Sequence, residues 1–333
     1  MRTIRAYYGI VVPFFEPVRA CLSLSMNPEL SMQSRRVFLK TSALASAGAF
    51  VAGGVLSPFH RAAGMSTRRN FTPIRRGVGT FEQRGGTIGW LVRPDALVVV
   101  DSQYPDTAEM LVQGLAERSD RRIDLLINSH HHGDHTGGNA TLRPHADRVL
   151  AHRNVPDLMR SRGTMDDAMI PDRTFGEVWE EDLGDETLRL SWYGPAHTGG
   201  DAVIHFVRAD VVHMGDLVFN RMPCFVDVAG GADSAGWMDV LQRVHDDHTR
   251  DTVFIYGHGN PDAGITGTRD DLLVFRDFLG GVRDHVQAGI RDGKTAEDLA
   301  VDRLPGFEQF YHPDRPDGVA RTIKMIFDEL SGV

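Results

Sequence analysis

The sequence predicts an α/β fold in which two mixed β-sheets are sandwiched between helices, an αβ/βα arrangement of four layers. Three observations point there. Short runs rich in Val, Ile and Leu recur in two blocks, and each block is followed by segments whose apolar residues repeat at helical spacing. Ligand-type side chains stand beside glycines at the ends of several of those runs, which is where sheet-based folds place their chemistry. Finally, 333 residues with 41% hydrophobic and 24% charged content are ample for a buried core.

The first block opens with three expected strands, Gly77 to Phe81, Thr87 to Val92 and Ala96 to Val100, with turns at Arg84-Gly85-Gly86 and Pro94-Asp95. A helix starts at Pro105, with Ala108, Leu111, Val112, Leu115 and Ala116 on one face. Ile123 to Asn128 is a buried strand, Val149 to Ala151 a short one, and Asn154 to Arg160 a short helix. Residues 161–184 are polar and are expected to form a lid, a binding loop or a surface excursion. In the second block, Glu186 to Trp192, Ala202 to Val207, Val211 to Met214 and Thr252 to Tyr256 read as strands. Ala235 to His245, Leu272 to Ile290 and Val319 to Leu330 read as helices, with a shorter one near Thr295 to Ala300. No stretch resembles an interdomain linker, so residues 65–333 are expected to form one domain.

The chemistry concentrates in Ser129-His130-His131-His132-Gly133-Asp134-His135-Thr136-Gly137-Gly138-Asn139, directly behind a strand. His130 and His132, two apart in an extended segment, leave the same face. Asp134 and His135 follow a glycine that lets the backbone turn. Two ligand sets are thus aimed at adjacent points, and imidazole with carboxylate suits zinc, with iron or manganese as alternatives. His131 faces away and is expected not to ligate. Downstream, His197, Asp216 and His258 each stand beside a glycine at a strand end. Taken singly, His197 or His258 reads as a hydrogen-bonded structural histidine and Asp216 as a cap; together they extend the cluster. Asp101, at the end of a strand, is expected to orient a ligand histidine, or else to cap a turn.

Net charge is −9. Residues 1–64 carry seven Lys/Arg and two Asp/Glu, leaving the rest with 29 basic against 43 acidic side chains, a balance of −14. Such a surface argues against a nucleic-acid partner. Ser34-Arg35-Arg36-Val37-Phe38-Leu39-Lys40, followed by the uncharged stretch Thr41 to Pro58, resembles a twin-arginine export signal over residues 34–64. The stretch is barely about 18 residues long and rich in Ala, Gly and Ser, a weak membrane span. Small residues for cleavage stand at Ala62-Ala63-Gly64. The resemblance implies passage through the twin-arginine translocation machinery to the periplasm or beyond. Residues 1–33 are unusual ahead of such a signal, and Met26 or Met32 is the alternative start. The mature chain then keeps only Cys224, which reads as a small buried residue.

His-x-His-x-Asp-His behind a hydrophobic strand resembles the signature of the metallo-β-lactamase superfamily of metallohydrolases. The resemblance covers the mature chain and implies that His130, His132 and His197 hold one metal. Asp134, His135 and His258 would hold the second, with Asp216 bridging. Two such metals about 3.5–4 Å apart acidify a shared water towards a pKa of ~7, giving a nucleophile for a carbonyl. Asp134 would accept that water's proton and orient it. Asp216 stands where the best-known clinical β-lactamases carry a cysteine ligand, which favours the glyoxalase, lactonase and broad-hydrolase branch. The expected function is therefore an exported dizinc hydrolase of a small-molecule ester, lactone, thioester or amide. β-Lactam hydrolysis, a mononuclear iron sulfur dioxygenase and a metal-binding protein with a vestigial site are the alternatives.

Overall fold

Alternation along one strand explains the layering. In Leu97–Val100, Val98 and Val100 join one buried cluster, while Leu97 and Val99 join another on the opposite face. A strand apolar on both faces must lie between two cores, and the whole chain follows that rule. The computed structural model describes residues 70–163 and 166–332. The leader, the upstream segment and the arginine pair lie outside the described residues.

The first sheet contains β1 (Phe71–Arg75), β2 (Val78–Phe81), β3 (Ile88–Val92) and β4 (Leu97–Val100), then β5 (Leu125–Ile127), β6 (Val149–His152) and β7 (Arg173–Phe175). It runs in that order from edge to edge, antiparallel through β4 and parallel from β4 to β7. Helices α1 (Pro105–Ala116), α2 (Gly133–Thr136), α3 (Asn139–Leu142) and α4 (Val155–Ser161) interrupt it. The second sheet has the order β15-β13-β11-β10-β9-β8. Its members are β8 (Val178–Leu183), β9 (Glu186–Ser191), β10 (Val203–Phe206), β11 (Val211–His213), β13 (Val253–Ile255) and β15 (Thr266–Gly267). A short parallel pair, β12 (Phe219–Asn220) and β14 (His258–Gly259), lies outside both sheets. The second half also carries α5 (Ser234–Asp247), α6 (Arg269–Arg291), α7 (Ala296–Leu299) and α8 (Gly318–Ser331).

Three large clusters hold the layers together. Val98, Val100, Leu125 and Ile127 meet Leu188, Leu190, Ile204 and Ile255 between the sheets. Leu97, Val99 and Leu126 pack against Ala108, Leu111 and Leu115 of α1. Val203, Val212 and Phe254 pack against Trp237 and Leu241 of α5, with Phe275, Leu279 and Ile323 from α6 and α8 behind them. Helices therefore cover the outer faces of two mixed sheets, as expected. Caps fix where the long helices start: Asp233 accepts from the N–H groups of Ala235 and Gly236, and Asp271 accepts from the N–H of Thr268. Among the described residues no helix is long and apolar enough to cross a membrane.

The stretch 161–184 departs from expectation. It supplies β7 and β8, an edge strand for each sheet, instead of an excursion without structure of its own. In β8, exposed Val178, Glu180 and Asp182 alternate with half-buried Trp179, Glu181 and Leu183, so no apolar face marks it in the sequence. Polar pairs support it instead: Arg189 donates to Glu180 at 2.7 Å, and Arg148 holds both oxygens of Glu181 at 2.8 and 2.9 Å. Charge on an edge strand discourages pairing with other chains. Most other expected strands form one or two residues shorter, the one over Ile123 to Asn128 three shorter and the one from Val149 one longer, and β1 was hidden by Pro73, tolerated because β1 is an edge.

Candidate metal centre

Parallel pairing of β4 with β5 and of β11 with β13 brings four strand ends to one edge of the sandwich. Asp101 follows β4 directly, Ser129 to His132 follow β5, and α2 carries Asp134 and His135. Asp216 comes after β11, His258 after β13, and His197 lies in the loop between β9 and β10. All seven expected ligands meet there. His130, His132, His197 and Asp216 form one group, and Asp134, His135 and His258 another, their ligand atoms within 4.8 Å of one another in each. Asp216 reaches both. Its Oδ2 lies 3.8 Å from His130 Nε2 and 3.6 Å from His197 Nε2, and its Oδ1 lies 3.0 Å from His135 Nε2 and 3.4 Å from His258 Nε2. Asp134 Oδ2 is 3.1 Å from His258 Nε2.

Hydrogen bonds on the outer side of the rings define which nitrogens face the cluster. His197 Nδ1 donates to the carbonyl of Phe225 at 2.9 Å, and His132 Nε2 donates to Asp227 at 2.8 Å. His135 Nδ1 donates to Asp101 at 2.7 Å. Ser129 Oγ gives its proton to Asp101 at 2.8 Å and so accepts from His130 Nδ1 at 3.0 Å. Each partner holds one ring nitrogen outward and turns the other towards the cluster. His132 Nδ1 and His197 Nε2 thus face one another at 3.0 Å, lone pair to lone pair. His130 Nε2, His135 Nε2 and Asp216 Oδ1 are buried with no well-aligned hydrogen-bond partner, although the last two stand 3.0 Å apart. Burying such atoms unmatched is costly. Convergent imidazole nitrogens around a shared carboxylate fit divalent cations, and the donor set excludes a soft, thiolate-type site.

The backbone approaches closely enough to matter. A Cβ added to Gly257 would stand 2.0 Å from Asp216 Oδ1, and one on Gly86 would stand 2.1 Å from the His135 ring. Asp101 itself has φ 69°, a left-handed conformation that a non-glycine residue rarely adopts. That strain turns its carboxylate onto Ser129 and His135 together.

Burial opposes ionisation of Asp216, but His135 and His258 outweigh it and hold the carboxyl well below the usual carboxylate range. Burial likewise works against Asp134, which His135 and His258 bring down to about 2. For His258, burial is overcome by Asp216 and Asp134, raising it to about 9. His135 is raised well above its ordinary value against burial, by Asp216, Asp134 and Asp101. Burial and then His132 push His197 down to about 3, and burial with His135 lowers His130 strongly. His135 and His258 therefore hold protons that a metal must displace, whereas His130 and His197 present bare nitrogens.

Three contributors escaped the sequence reading. Asp227 Oδ2 meets His132, His131 Nε2 at 3.2 Å and Arg162 at 2.8 Å, while Gly230 N–H donates to Oδ1 at 3.0 Å. His131 thus points at Asp227, away from the inward lone pairs. Asp227 lies 95 residues from His132 in the chain, and no local motif surrounds it. Ser129 was visible beside His130, but its role depends on Asp101. The Phe225 carbonyl is backbone and leaves no sequence signal at all. Cys224 is buried and free, and burial pushes its thiol up to about 12.

Residues 82–267 match the family model described as the metallo-beta-lactamase superfamily, a span that contains every ligand candidate. The chain belongs to the metallo-β-lactamase superfamily. Among curated relatives, it is 30% identical over 127 residues to the 2,4-dinitroanisole O-demethylase subunit alpha of Nocardioides sp. (strain JS1661), covering 37% of this chain and 38% of that one. It is 20% identical over 201 residues to the metallo-beta-lactamase type 2 of Bacteroides fragilis, covering 57% of this chain and 79% of the relative. The solved structure of a sec-alkylsulfatase from Pseudomonas sp. matches with a TM-score of 0.62 at 13% identity, over 78% of this chain and 50% of that one. A metallo-beta-lactamase from Pontibacter korlensis matches with a TM-score of 0.53 at 18% identity, over 63% and 98%. The chain thus spans well under half of the O-demethylase subunit and half of the alkylsulfatase. At these identities the solved structures speak for the superfamily fold alone.

Proposed function

We propose that this superfamily member is an exported dizinc hydrolase that cleaves an ester, lactone, thioester or amide of a small molecule. The observation that carries the reading is the set of histidines whose outer nitrogens are pinned by protein and whose inner nitrogens converge on Asp216. His130, His132 and His197 would hold one cation and Asp134, His135 and His258 the other, with Asp216 shared. When bound, such a pair supplies Lewis acidity and an acidified water at neutral pH. Asp134 is ionised near neutrality and, with about a quarter of its side chain exposed (26%), faces the open side of the cluster. From there its free carboxylate capacity orients an incoming water and accepts its proton. Asp101, Ser129 and Asp227 hold the imidazoles in one tautomer, so no ring reorients during turnover. Export rests on the Arg35-Arg36 leader, and an already folded cargo suits a chain that carries metal.

The likeness to an O-demethylase subunit over 127 residues makes aryl ethers a second class to examine. The test is a panel of esters, lactones, thioesters, amides, β-lactams and aryl ethers, run on protein as purified, after chelation and after zinc is returned. Turnover of one carbonyl class, lost on chelation and restored by zinc, is expected. Turnover that survives complete metal removal would refute the proposal.

A further inference from the structure

A cavity of about 340 Å³ adjoins the cluster, and its lining does not match the acidic character of the chain. Phe219, Pro223 and Phe225 form its apolar side, and Arg315, Arg321 and Lys324 its charged side. No carboxylate lines it, although the whole chain carries −9. The two phenylalanines belong equally to the metal centre. Phe219 stacks on His258 with ring centres 5.3 Å apart and meets His197 at 5.7 Å. Phe225 lies 5.5 Å from His132 and leaves 48% of its surface exposed, one of few large apolar side chains so placed among the described residues.

The cations come from one place in the fold. Arg321 and Met325 stand three and seven residues after Gly318 on α8, sharing a face, with Lys324 beside them. Arg321 pairs with Asp317 at 3.4 Å and Lys324 with Asp328 at 2.8 Å, both in the open, where such pairs hold weakly. Arg315 has no carboxylate within ion-pair distance among the described residues.

We infer that this cavity is a substrate subsite for an amphiphilic acid. Its apolar body would lie along Phe219 and Phe225, its anionic group among Arg315, Arg321 and Lys324, and its scissile bond at the histidine cluster. The assignment rests on the hydrolase reading and adds the substrate class to it. Phe225 is then the wall that guides the reacting end towards His132, and charge at α8 selects what enters.

The test is calorimetric titration of the full-length protein as purified with 4-phenylbutyrate and with its uncharged primary amide. The acid should bind at least tenfold more tightly, and that preference should disappear in the double variant Arg321→Glu, Lys324→Glu. Both side chains are more than half exposed, so the fold tolerates the exchange. Equal affinity for acid and amide would overturn the inference, as would a preference that persists in the variant, since the anion would then sit on the metals. Turnover of ester pairs with and without a distal carboxylate is measured alongside. Preferential binding without turnover of any ester, lactone, thioester or amide supports the cavity and removes the hydrolase reading, whereas ester turnover blind to the carboxylate overturns the cavity assignment alone.

Discussion

Asp216 is one carboxylate serving two groups of histidines, and its neighbours decide how the cluster behaves. His132 depends on Asp227 for its orientation, so Asp227→Ala should lower metal affinity at the first position by about 10–100-fold. Competition with a chromophoric chelator measures this; unchanged affinity would mean that the ring is held by packing alone. Asp134→Asn keeps shape but removes charge and proton acceptor. Its kcat should fall by about 10²–10⁴ even in samples restored to full metal content. A fully loaded Asp134→Asn with near wild-type kcat would leave Asp134 a dispensable ligand. The proton balance of the second position has a definite sign. His258 is raised to about 9, so near neutrality it carries a proton that ligation must expel. Loading should therefore release protons, and apparent affinity should climb by about tenfold per pH unit for each proton released until pH nears that value. Calorimetry in buffers of different ionisation enthalpy counts those protons, and a count of zero at pH 7 would contradict the charge assignment.

At the scale of elements, α5 is what holds the His197 side of the site in place. Trp237 is fully buried, donates from Nε1 to the Leu217 carbonyl at 2.9 Å, and lies 5.3 Å from the His197 ring. Trp237→Ala should cost about 3–5 kcal/mol in denaturant unfolding. A loss below about 1 kcal/mol, the scale of ordinary surface changes, would show that the second outer layer is not needed there. The same residues explain what could be read in advance. Strands apolar on both faces, such as Leu97–Val100, and helices with one apolar stripe, such as α5, announce themselves because burial dictates their pattern. β8 does not, since an edge strand answers to charge pairing more than to burial. The ligand residues were legible because glycine and histidine stand together at strand ends. Asp227 was not, because its meaning lies in a contact made across 95 residues of chain.

At the scale of the whole molecule, four strand ends converge in the described region, and the proposal adds an export leader over residues 34–64. Export through the twin-arginine pathway is part of the proposal, and replacing Arg35 and Arg36 together by lysine should leave unprocessed protein in the cytoplasm. Normal appearance of that variant outside the cytoplasm would remove the pathway from the account. The central claim concerns the core of the site: a pair of metals shared by Asp216 and framed by two sets of pinned histidines. Metal content per chain, determined side by side for wild type and Asp216→Ala after zinc loading and desalting, tests it most directly. Two zinc per chain in the wild type and at most one in Asp216→Ala is the expected result. Equal zinc in the two proteins would contradict the bridged pair.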